Sequence, residues 1–187
     1  MTKNKKIILI VSVVAIVAIA VFFVYKKYKD ANMKLNVKDL KTSKKGLNLI
    51  KEHEGLKLKA YKDARVPPVW TIGYGHTKGV YPGQTITEAE ATEFLKQDLE
   101  TAEKIVKNAI TVPLTQNQFD ALVSHTFNTN GSSLLFKLVN GKETIVYDGT
   151  TWNLAKWWKG TWITAGASGI LAGLVRRRKE EYELFTA

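Results

Sequence analysis

Cysteine is absent from the 187-residue chain. The chain therefore has no disulfide framework, no thiol nucleophile and no cysteine-ligated zinc site. Histidine is scarce, and no two of His53, His76 and His125 have the i, i+4 spacing that places two zinc ligands on one helix face. We therefore expect no metal centre and no cofactor. A domain of this size folds without crosslinks, so the lack of cysteine leaves an extracytoplasmic location open.

Acidic residues are scarce in the first quarter of the chain. Residues 1–45 carry eleven lysines against two aspartates, a net charge of +9, whereas residues 46–187 carry 17 basic and 15 acidic residues, a net charge of +2. A nucleic-acid-binding domain has a basic surface of its own, so we expect no nucleic acid as a partner. Positive charge confined to one terminal segment is instead suited to anionic lipid head groups.

Charged residues are missing altogether from residues 7–25, which contain one serine and are otherwise apolar or aromatic. Nineteen helical residues span roughly 28 Å, about the thickness of the hydrocarbon layer of a membrane. Lysines flank the run on both sides. We predict a short basic N-terminus at 1–6, a transmembrane signal-anchor helix at 7–25, a basic linker at 26–45 and a folded domain at 46–187.

Two alternatives concern this segment. Ala18-Ile19-Ala20 has the small-x-small form of a signal-peptide cleavage site, but cleavage there leaves an apolar stub, so we favour an anchor. More lysines follow the segment than precede it, and a positive-inside count places the folded domain in the cytoplasm. We expect the opposite orientation, with the folded domain on the outer side of the inner membrane.

The folded part has helical patterns and one strand pattern near its start. A helix capped by Thr42 or Ser43 is expected to end at Gly55, and a strand is expected at 69–74. Thr87 and Glu90 form a capping box that opens a long helix to about Ala109. Further helices are predicted after Thr115, at 134–139 and at 171–185. The fold class is therefore α+β, mostly helical, with one small antiparallel sheet.

Two carboxyl groups lie nine positions apart, at Glu54 and Asp63. Glycoside hydrolysis needs two carboxyl groups in unlike settings, one that donates a proton and one that stays ionised. Glu54 ends the first helix, where the helix dipole disfavours a carboxylate anion and thus suits a proton donor. Asp63 lies in a polar turn. The spacing alone is a weak signal.

The amino-acid sequence around these two residues gives a more specific signal than their spacing. The segment E-G-L-x-L-x-A-Y-x-D at 54–63 and V-W-T-I-G-Y-G-H-T at 69–77 closely resemble the phage-type lysozymes, the endolysin family of glycoside hydrolases (family 24). The stretches T-x-x-Q-x-D-x-L-V-S-x-x-F-N at 115–128 and G-L-V-x-R-R at 173–178 are similar to that family as well. The resemblance covers roughly residues 46–187.

The resemblance implies an acid at Glu54, an aspartate at Asp63 that activates water, and a threonine at Thr71 that helps to hold it. It also implies a lysozyme-like fold in which a long helix joins an α/β lobe to a helical lobe. One departure is that two extra residues separate Asp63 from Thr71. Because strand side chains alternate with period two, an even insertion keeps Thr71 on the same face.

The remaining polar residues have structural interpretations. In the resembling family the histidine after the strand pairs with an aspartate on the long helix, which implies an ion pair between His76 and Asp98 here. His53 is expected at the surface. Among Arg176–Arg178, one side chain must point inward, and a functional hypothesis is an arginine that pairs with Glu54. We expect the tryptophans at 152–162 to pack in the hydrophobic core, in preference to the alternative that they form a surface on which sugar rings stack.

We therefore expect an endolysin that hydrolyses the β-1,4 bond between N-acetylmuramic acid and N-acetylglucosamine in peptidoglycan, with inversion. It is expected to act as a monomer anchored in the inner membrane by one helix. The alternative is a non-catalytic, membrane-anchored glycan-binding protein on a lysozyme scaffold. The presence of both Glu54 and Asp63 favours the enzyme.

Overall fold

The computed structural model describes residues 16–26, 29, 33–164 and 169–187. Residues 16–26 are helical, and a 3₁₀ helix occupies Val37–Asp39. The further helices are α1 (Lys44–Glu54), α2 (Glu88–Ala109), α3 (Gln116–Thr129), α4 (Ser133–Val139), α5 (Leu154–Gly160) and α6 (Ala172–Thr186). The strands are β1 (Lys57–Lys62), β2 (Trp70–Gly73), β3 (Ile145–Tyr147) and β4 (Thr150–Trp152).

Helix α1 places Glu54 at its C-terminal end. The Ser43 hydroxyl caps the helix by accepting hydrogen bonds from the backbone N–H groups of Lys45 and Gly46 at 3.1 and 3.3 Å. Gly55 ends it with a φ of 71°, a left-handed conformation that favours glycine. The expected boundaries are confirmed, and Glu54 is the last helical residue.

Strands β1 and β2 form an antiparallel pair that carries Asp63 and Thr71. The register pairs Tyr61 with Thr71 and Lys57 with Gly73, so β1 bulges between Lys57 and Tyr61. The outer edge of β1 is covered by residues 84–86, because Ala60 N–H donates to the Gln84 carbonyl at 2.9 Å. The sheet is therefore small and lies directly after α1.

The long helix α2 leads from the sheet to the helical part of the chain. Its capping box is confirmed, since the Thr87 hydroxyl accepts from the Glu90 N–H at 3.2 Å and the Glu90 carboxylate accepts from the Thr87 N–H at 2.7 Å. Helix α3 forms the centre of the core, with every residue from Phe119 to Thr126 buried. It packs against α1, α2 and α6.

Strands β3 and β4, between α4 and α5, form a short hairpin. The tryptophans that follow divide between core and surface. Trp157 and Trp158 are buried, while Trp162 is exposed. The core interpretation therefore holds for the two tryptophans of α5. The α+β class, with mostly helical structure and small antiparallel sheets, is confirmed.

The predicted membrane segment 7–25 lies in part outside the described residues, which begin at 16. Its described part is helical, and its large apolar side chains are exposed. Within 16–26, 29, 33–164 and 169–187, no helix has the length and apolar character needed to cross a membrane. The anchor is therefore treated below as a proposal.

The segment expected as a solvated linker packs onto the domain over its second half. Leu35 and Leu114 exchange two backbone hydrogen bonds of 2.7 and 3.0 Å, and Val37 and Leu40 are buried. Thr42 donates from its N–H and its hydroxyl to Glu103, both at 2.8 Å. This strap, residues 35–43, was not predicted because its three apolar residues, Leu35, Val37 and Leu40, are too few to form a periodic pattern.

Close approach of α1 to α3 depends on Gly46. A Cβ atom at this position lies 2.6 Å from Asp120 Cγ. Asp120 is fixed in place because it accepts hydrogen bonds from the Ser43 N–H at 2.9 Å and from the Ser43 hydroxyl. Burial raises the pKa of the Asp120 carboxyl, and these donors oppose the effect.

We expect Gly46→Ala to lower the free energy of unfolding by about 1–3 kcal/mol, because the methyl group overlaps a fixed carboxyl. The overlap outweighs the higher helix propensity of alanine, worth about 1 kcal/mol. Gly173→Ala is the control, since a Cβ there has nothing within 4 Å, and it should not lower stability. Urea denaturation measures both variants; a Gly46→Ala protein as stable as the parent contradicts the packing argument.

Candidate active site

The carboxyl group of Glu54 contacts an arginine from the last helix. Arg177 Nη1 donates to Glu54 Oε1 at 2.6 Å, and the Arg177 side chain is 4% exposed against 24% for Glu54. Arg177 is thus the inward-pointing arginine of the predicted pairing.

Arg177 belongs to a larger buried charge cluster, which consists of Glu54, Arg177, Arg178 and Glu181. Glu181 Oε1 accepts from Arg177 Nε at 3.1 Å and from Arg178 Nη2 at 3.1 Å. The hydroxyl of Ser124 also donates to Glu181 Oε1, at 2.7 Å. Each of the two arginines therefore meets a carboxyl group, which is how a protein interior tolerates a buried cation.

The position of Arg178 corrects the expectation that a single arginine of 176–178 points inward. Its side chain is fully buried, and Nη2 donates to Asn128 Oδ1 at 3.0 Å. Burial lowers the pKa of the Arg178 guanidinium to about 10, so it remains charged at neutral pH. Arg176 is the exposed member of the three and lies 3.8 Å from Glu180.

The structure also corrects the expected surface position of His53. Its side chain is 4% exposed, and Nε2 lies 2.8 Å from Glu180 Oε2. Burial and the neighbouring Arg177 lower the pKa of His53. His53 lies beside Glu54 because both residues belong to the last turn of α1. The helix that covers its side chain, α6, lies about 120 residues away in sequence, so its burial could not be predicted from the local pattern.

Asp63 closes a turn with both its backbone and its side chain. Its N–H donates to the Val69 carbonyl at 3.0 Å, and Oδ1 accepts from the Val69 N–H at 2.9 Å and from the Arg65 N–H at 3.2 Å. Oδ2 accepts from Arg65 Nε. The Val69 N–H and the Arg65 contacts hold the pKa of the Asp63 carboxyl below its usual value, so the group is ionised at neutral pH.

Thr71 faces the same carboxylate. Its side chain is buried, and Oγ1 lies 3.4 Å from Asp63 Oδ2 and 3.2 Å from the Val69 carbonyl oxygen. The two extra residues of the 63–71 loop therefore leave Thr71 and Asp63 on one side of the hairpin. Oδ2 is the Asp63 oxygen that both Thr71 and Arg65 approach.

His76 and Asp98 are in contact, at 2.9 Å between Nδ1 and Oδ2. His76 Nε2 lies 2.9 Å from the Lys78 carbonyl oxygen, and the ring stacks on Phe94 with centroids 4.5 Å apart. Both ring nitrogens therefore have an oxygen partner. His76 thus links the sheet to α2.

Glu54 opens onto a cleft of about 350 Å³ that is lined also by Asn128, Leu171 and Arg177. A larger cavity, about 550 Å³, lies between the strap, α1 and α2, and its lining includes none of the predicted catalytic residues. We take the smaller cleft as the candidate site, because it contains a carboxyl group with a defined partner. No cluster of metal ligands occurs in the part of the chain that the structure describes.

Two residues of the site were missed in the sequence. Arg65 had no signal, because it lies in the insertion before Thr71, where the motif offers no guide. Glu181 had a weak one: it lies four positions after Arg177 and three after Arg178, the spacing at which charged residues on a helix meet.

The chain is similar in sequence to known proteins. Residues 51–181 match the family model described as Phage lysozyme. An endolysin of Acyrthosiphon pisum secondary endosymbiont phage 1 is 42% identical over 148 residues, which cover 76% of this chain and 96% of that protein. An endolysin of Bacillus phage PZA is 38% identical over 155 residues, covering 79% of this chain and just over half, 56%, of that protein.

A solved structure shares the fold. The crystal structure of a mutant lysozyme of phage P22 superposes with a TM-score of 0.65 at 34% identity, covering 79% of this chain and 99% of that one. The similarity extends over the domain that carries Glu54, Asp63 and Thr71.

We expect Glu181→Gln to lower the free energy of unfolding by about 3–5 kcal/mol, because it leaves two buried arginines without the carboxylate that both contact. Glu183→Gln is the matched control on the same helix. Its carboxylate is 60% exposed and 3.8 Å from Lys179, so the change should stay within about 0.5 kcal/mol. Equal losses in urea denaturation of the two variants contradict the role given to the cluster.

Proposed function

The chain belongs to the phage lysozyme family, and we propose that it is an endolysin that hydrolyses the β-1,4 bond between N-acetylmuramic acid and N-acetylglucosamine in bacterial peptidoglycan. The observation that carries the proposal is the unlike setting of two carboxyl groups. Glu54 has one arginine partner and opens onto a cleft, whereas Asp63 accepts hydrogen bonds from several donors. Glycoside hydrolysis uses such a pair.

We assign Glu54 as the general acid. Arg177 holds Oε1, and Oε2 has no hydrogen-bond partner among residues 33–164 and 169–187. Oε2 is therefore the oxygen available to carry a proton to the leaving glycosidic oxygen. The bond between the anomeric carbon and that oxygen breaks as the proton is transferred.

We assign Asp63 as the base and Thr71 as the residue that helps to hold water. Asp63 Oδ2 lies 3.4 Å from the Thr71 hydroxyl, so a water molecule that contacts both oxygens from the side can give a proton to the carboxylate and a hydrogen bond to the threonine. The water oxygen then bonds to the anomeric carbon on the face opposite the leaving group. Attack on that face inverts the configuration at that carbon, which is the outcome we propose.

The non-catalytic alternative has less support. It requires a protein that has the lysozyme fold but does not catalyse proton transfer. Both carboxyl groups are present here, each with an ordered partner, and the relatives named above are endolysins.

Membrane anchoring is a further part of the proposal. We propose that residues 7–25 insert in the inner membrane and hold residues 46–187 on the cell-wall side. The support is the uncharged run with lysines at both ends, together with the exposure of the large apolar side chains at 16–25, which a lipid phase would cover. The domain is proposed to act as a monomer.

We expect Glu54→Gln to lower wall-lytic activity by about 100- to 10,000-fold, the usual contribution of a general acid. Glu52→Gln is the control, because it changes the same kind of residue two positions earlier, on an exposed part of α1. Turbidity loss of purified cell walls measures activity, and thermal melting verifies folding. Unchanged lysis by a folded Glu54→Gln protein contradicts the assignment of the acid.

Protease protection in cells tests the anchor. In spheroplasts of a host that expresses the full chain, we expect added protease to digest residues 46–187 while the cells remain intact, because the domain faces outward. A cytoplasmic marker protein provides the control for leakage. Protection of the domain until the membrane is lysed places it in the cytoplasm, as the lysine count predicts, and contradicts the proposed topology.

A further inference from the structure

The strap and the start of α1 concentrate positive charge on the folded domain. Residues 33–45 carry five lysines against one aspartate, a net charge of +4, whereas the whole of residues 46–187 carries +2. All five lysines are exposed: Lys34, Lys38, Lys41, Lys44 and Lys45. Because the strap is hydrogen-bonded to Leu114 and Glu103, folded structure holds these charges in place. We call the exposed surface of residues 34–45 the strap face.

The strap runs along one side of α2, which brings its lysines together. Lys38 Nζ donates to the Lys107 carbonyl at 2.5 Å, and Lys41 Nζ lies 3.5 Å from Glu103 Oε2. Lys44 lines the 550 Å³ cavity together with α2 residues that include Lys96. These α2 positions are separated by multiples of three or four residues and so follow one face of the helix. The strap lysines therefore form a row beside that face.

The 550 Å³ cavity on this side combines cationic and apolar groups. The buried side chains of Leu47 and Leu99 line it. Four lysines line it as well, against two carboxylates, of which Glu103 already accepts from Thr42 and meets Lys41. A site with an apolar wall and several cations suits a ligand that has an anionic group joined to an apolar part. An anionic phospholipid has this chemistry, with a phosphate next to glycerol and acyl chains.

We propose that the strap face binds the anionic headgroups of a phospholipid bilayer, with one headgroup in the 550 Å³ cavity. This inference rests on the proposed function, whose membrane anchor brings the domain to a bilayer. Lysines near an anionic bilayer are attracted to its surface. Only nine residues separate the proposed anchor from Leu35. Docking is therefore intramolecular, and contacts that are weak on their own suffice to hold the domain.

Docking through the strap face orients the catalytic cleft. Lys44 begins α1 and Glu54 ends it. Ten residues of helix separate them, so the two ends are about 15 Å apart. With its first turn at the headgroups, α1 carries Glu54 away from the bilayer and toward the wall. The lipid contact thus sets the direction in which an anchored enzyme presents its site.

Fluorescence quenching in reconstituted vesicles tests the proposal on the full chain. Because the chain has no cysteine, a single fluorophore can be attached at Asn108→Cys. Asn108 is exposed, and its Oδ1 lies 3.5 Å from Lys38 Nζ, outside the cavity lining. The vesicles contain phosphatidylcholine alone, or phosphatidylcholine with about one-third phosphatidylglycerol, and both carry a trace of lipid with a quencher on its headgroup. We expect at least about twofold stronger quenching with phosphatidylglycerol, because the lysines attract the anionic surface.

Salt and a second labelling site provide the first controls. At about 1 M salt the Debye length falls to about 3 Å, so the extra quenching at Asn108→Cys should disappear. A fluorophore at Val146→Cys is on the β3–β4 hairpin, where the native side chain is 74% exposed. Its quenching should be the same in the two kinds of vesicle.

A matched pair of double variants tests the cavity. Lys41→Gln with Lys44→Gln removes two charges that line it, and the extra quenching should fall by at least about half. Lys137→Gln with Lys142→Gln removes two exposed lysines in and after α4, and the quenching should stay near that of the parent. Thermal melting verifies that each variant is folded.

Flotation of the same vesicles separates the anchor from the docking. A chain that floats with both kinds of vesicle but shows equal quenching in them overturns docking and leaves the anchor in place. A chain that floats only with phosphatidylglycerol supports docking and overturns the anchor, and one that floats with neither overturns both. Extra quenching that persists in Lys41→Gln with Lys44→Gln overturns the assignment to the cavity. Wall-lytic activity is measured separately, so failure of the enzymatic assignment remains distinguishable.

Discussion

The buried pairing of Arg177 with Glu54 and Glu181 is the contact on which the site depends. It joins the last turn of the first domain helix to the last helix of the chain, across 123 residues of sequence. Burial makes the contact demanding, because each cation must meet a carboxylate or lose its solvation without compensation. The cluster therefore fixes how α1 and α6 approach each other. The same contact leaves one oxygen of Glu54 turned toward the cleft.

Local signals in the sequence predicted the elements that carry the site. Ser43 and Gly55 bound α1, and the capping box of Thr87 and Glu90 begins α2, because caps act within a few residues. Contacts between residues far apart in the sequence could not be predicted from local patterns. The inward turn of both Arg177 and Arg178 depends on Glu181 and Glu54 as counter-charges, and no local pattern contains that information. The burial of His53 by Glu180 is unpredictable for the same reason.

The two halves of the candidate site differ in what holds them. Glu54 is supported by a charge cluster within the helical core, whereas Asp63 is supported by its own turn. Asp63 accepts from the backbone of Val69 and Arg65 and from the Arg65 side chain, so the residues that orient it lie within six positions. Changes in the turn therefore alter the base without disturbing the acid. This separation explains how a two-residue insertion is accommodated before Thr71.

Under the proposed anchoring, the packing of residues 35–43 against α2 and α3 limits the distance between the domain and the membrane. A fully extended chain over 26–45 reaches at most about 70 Å at roughly 3.5 Å per residue. Because Leu35 is hydrogen-bonded to Leu114 and Thr42 to Glu103, the part that can separate the domain from the anchor ends before residue 35. The remaining nine residues reach at most about 30 Å. For an anchored enzyme, the cleavable glycan is therefore confined to the layer of wall nearest the bilayer.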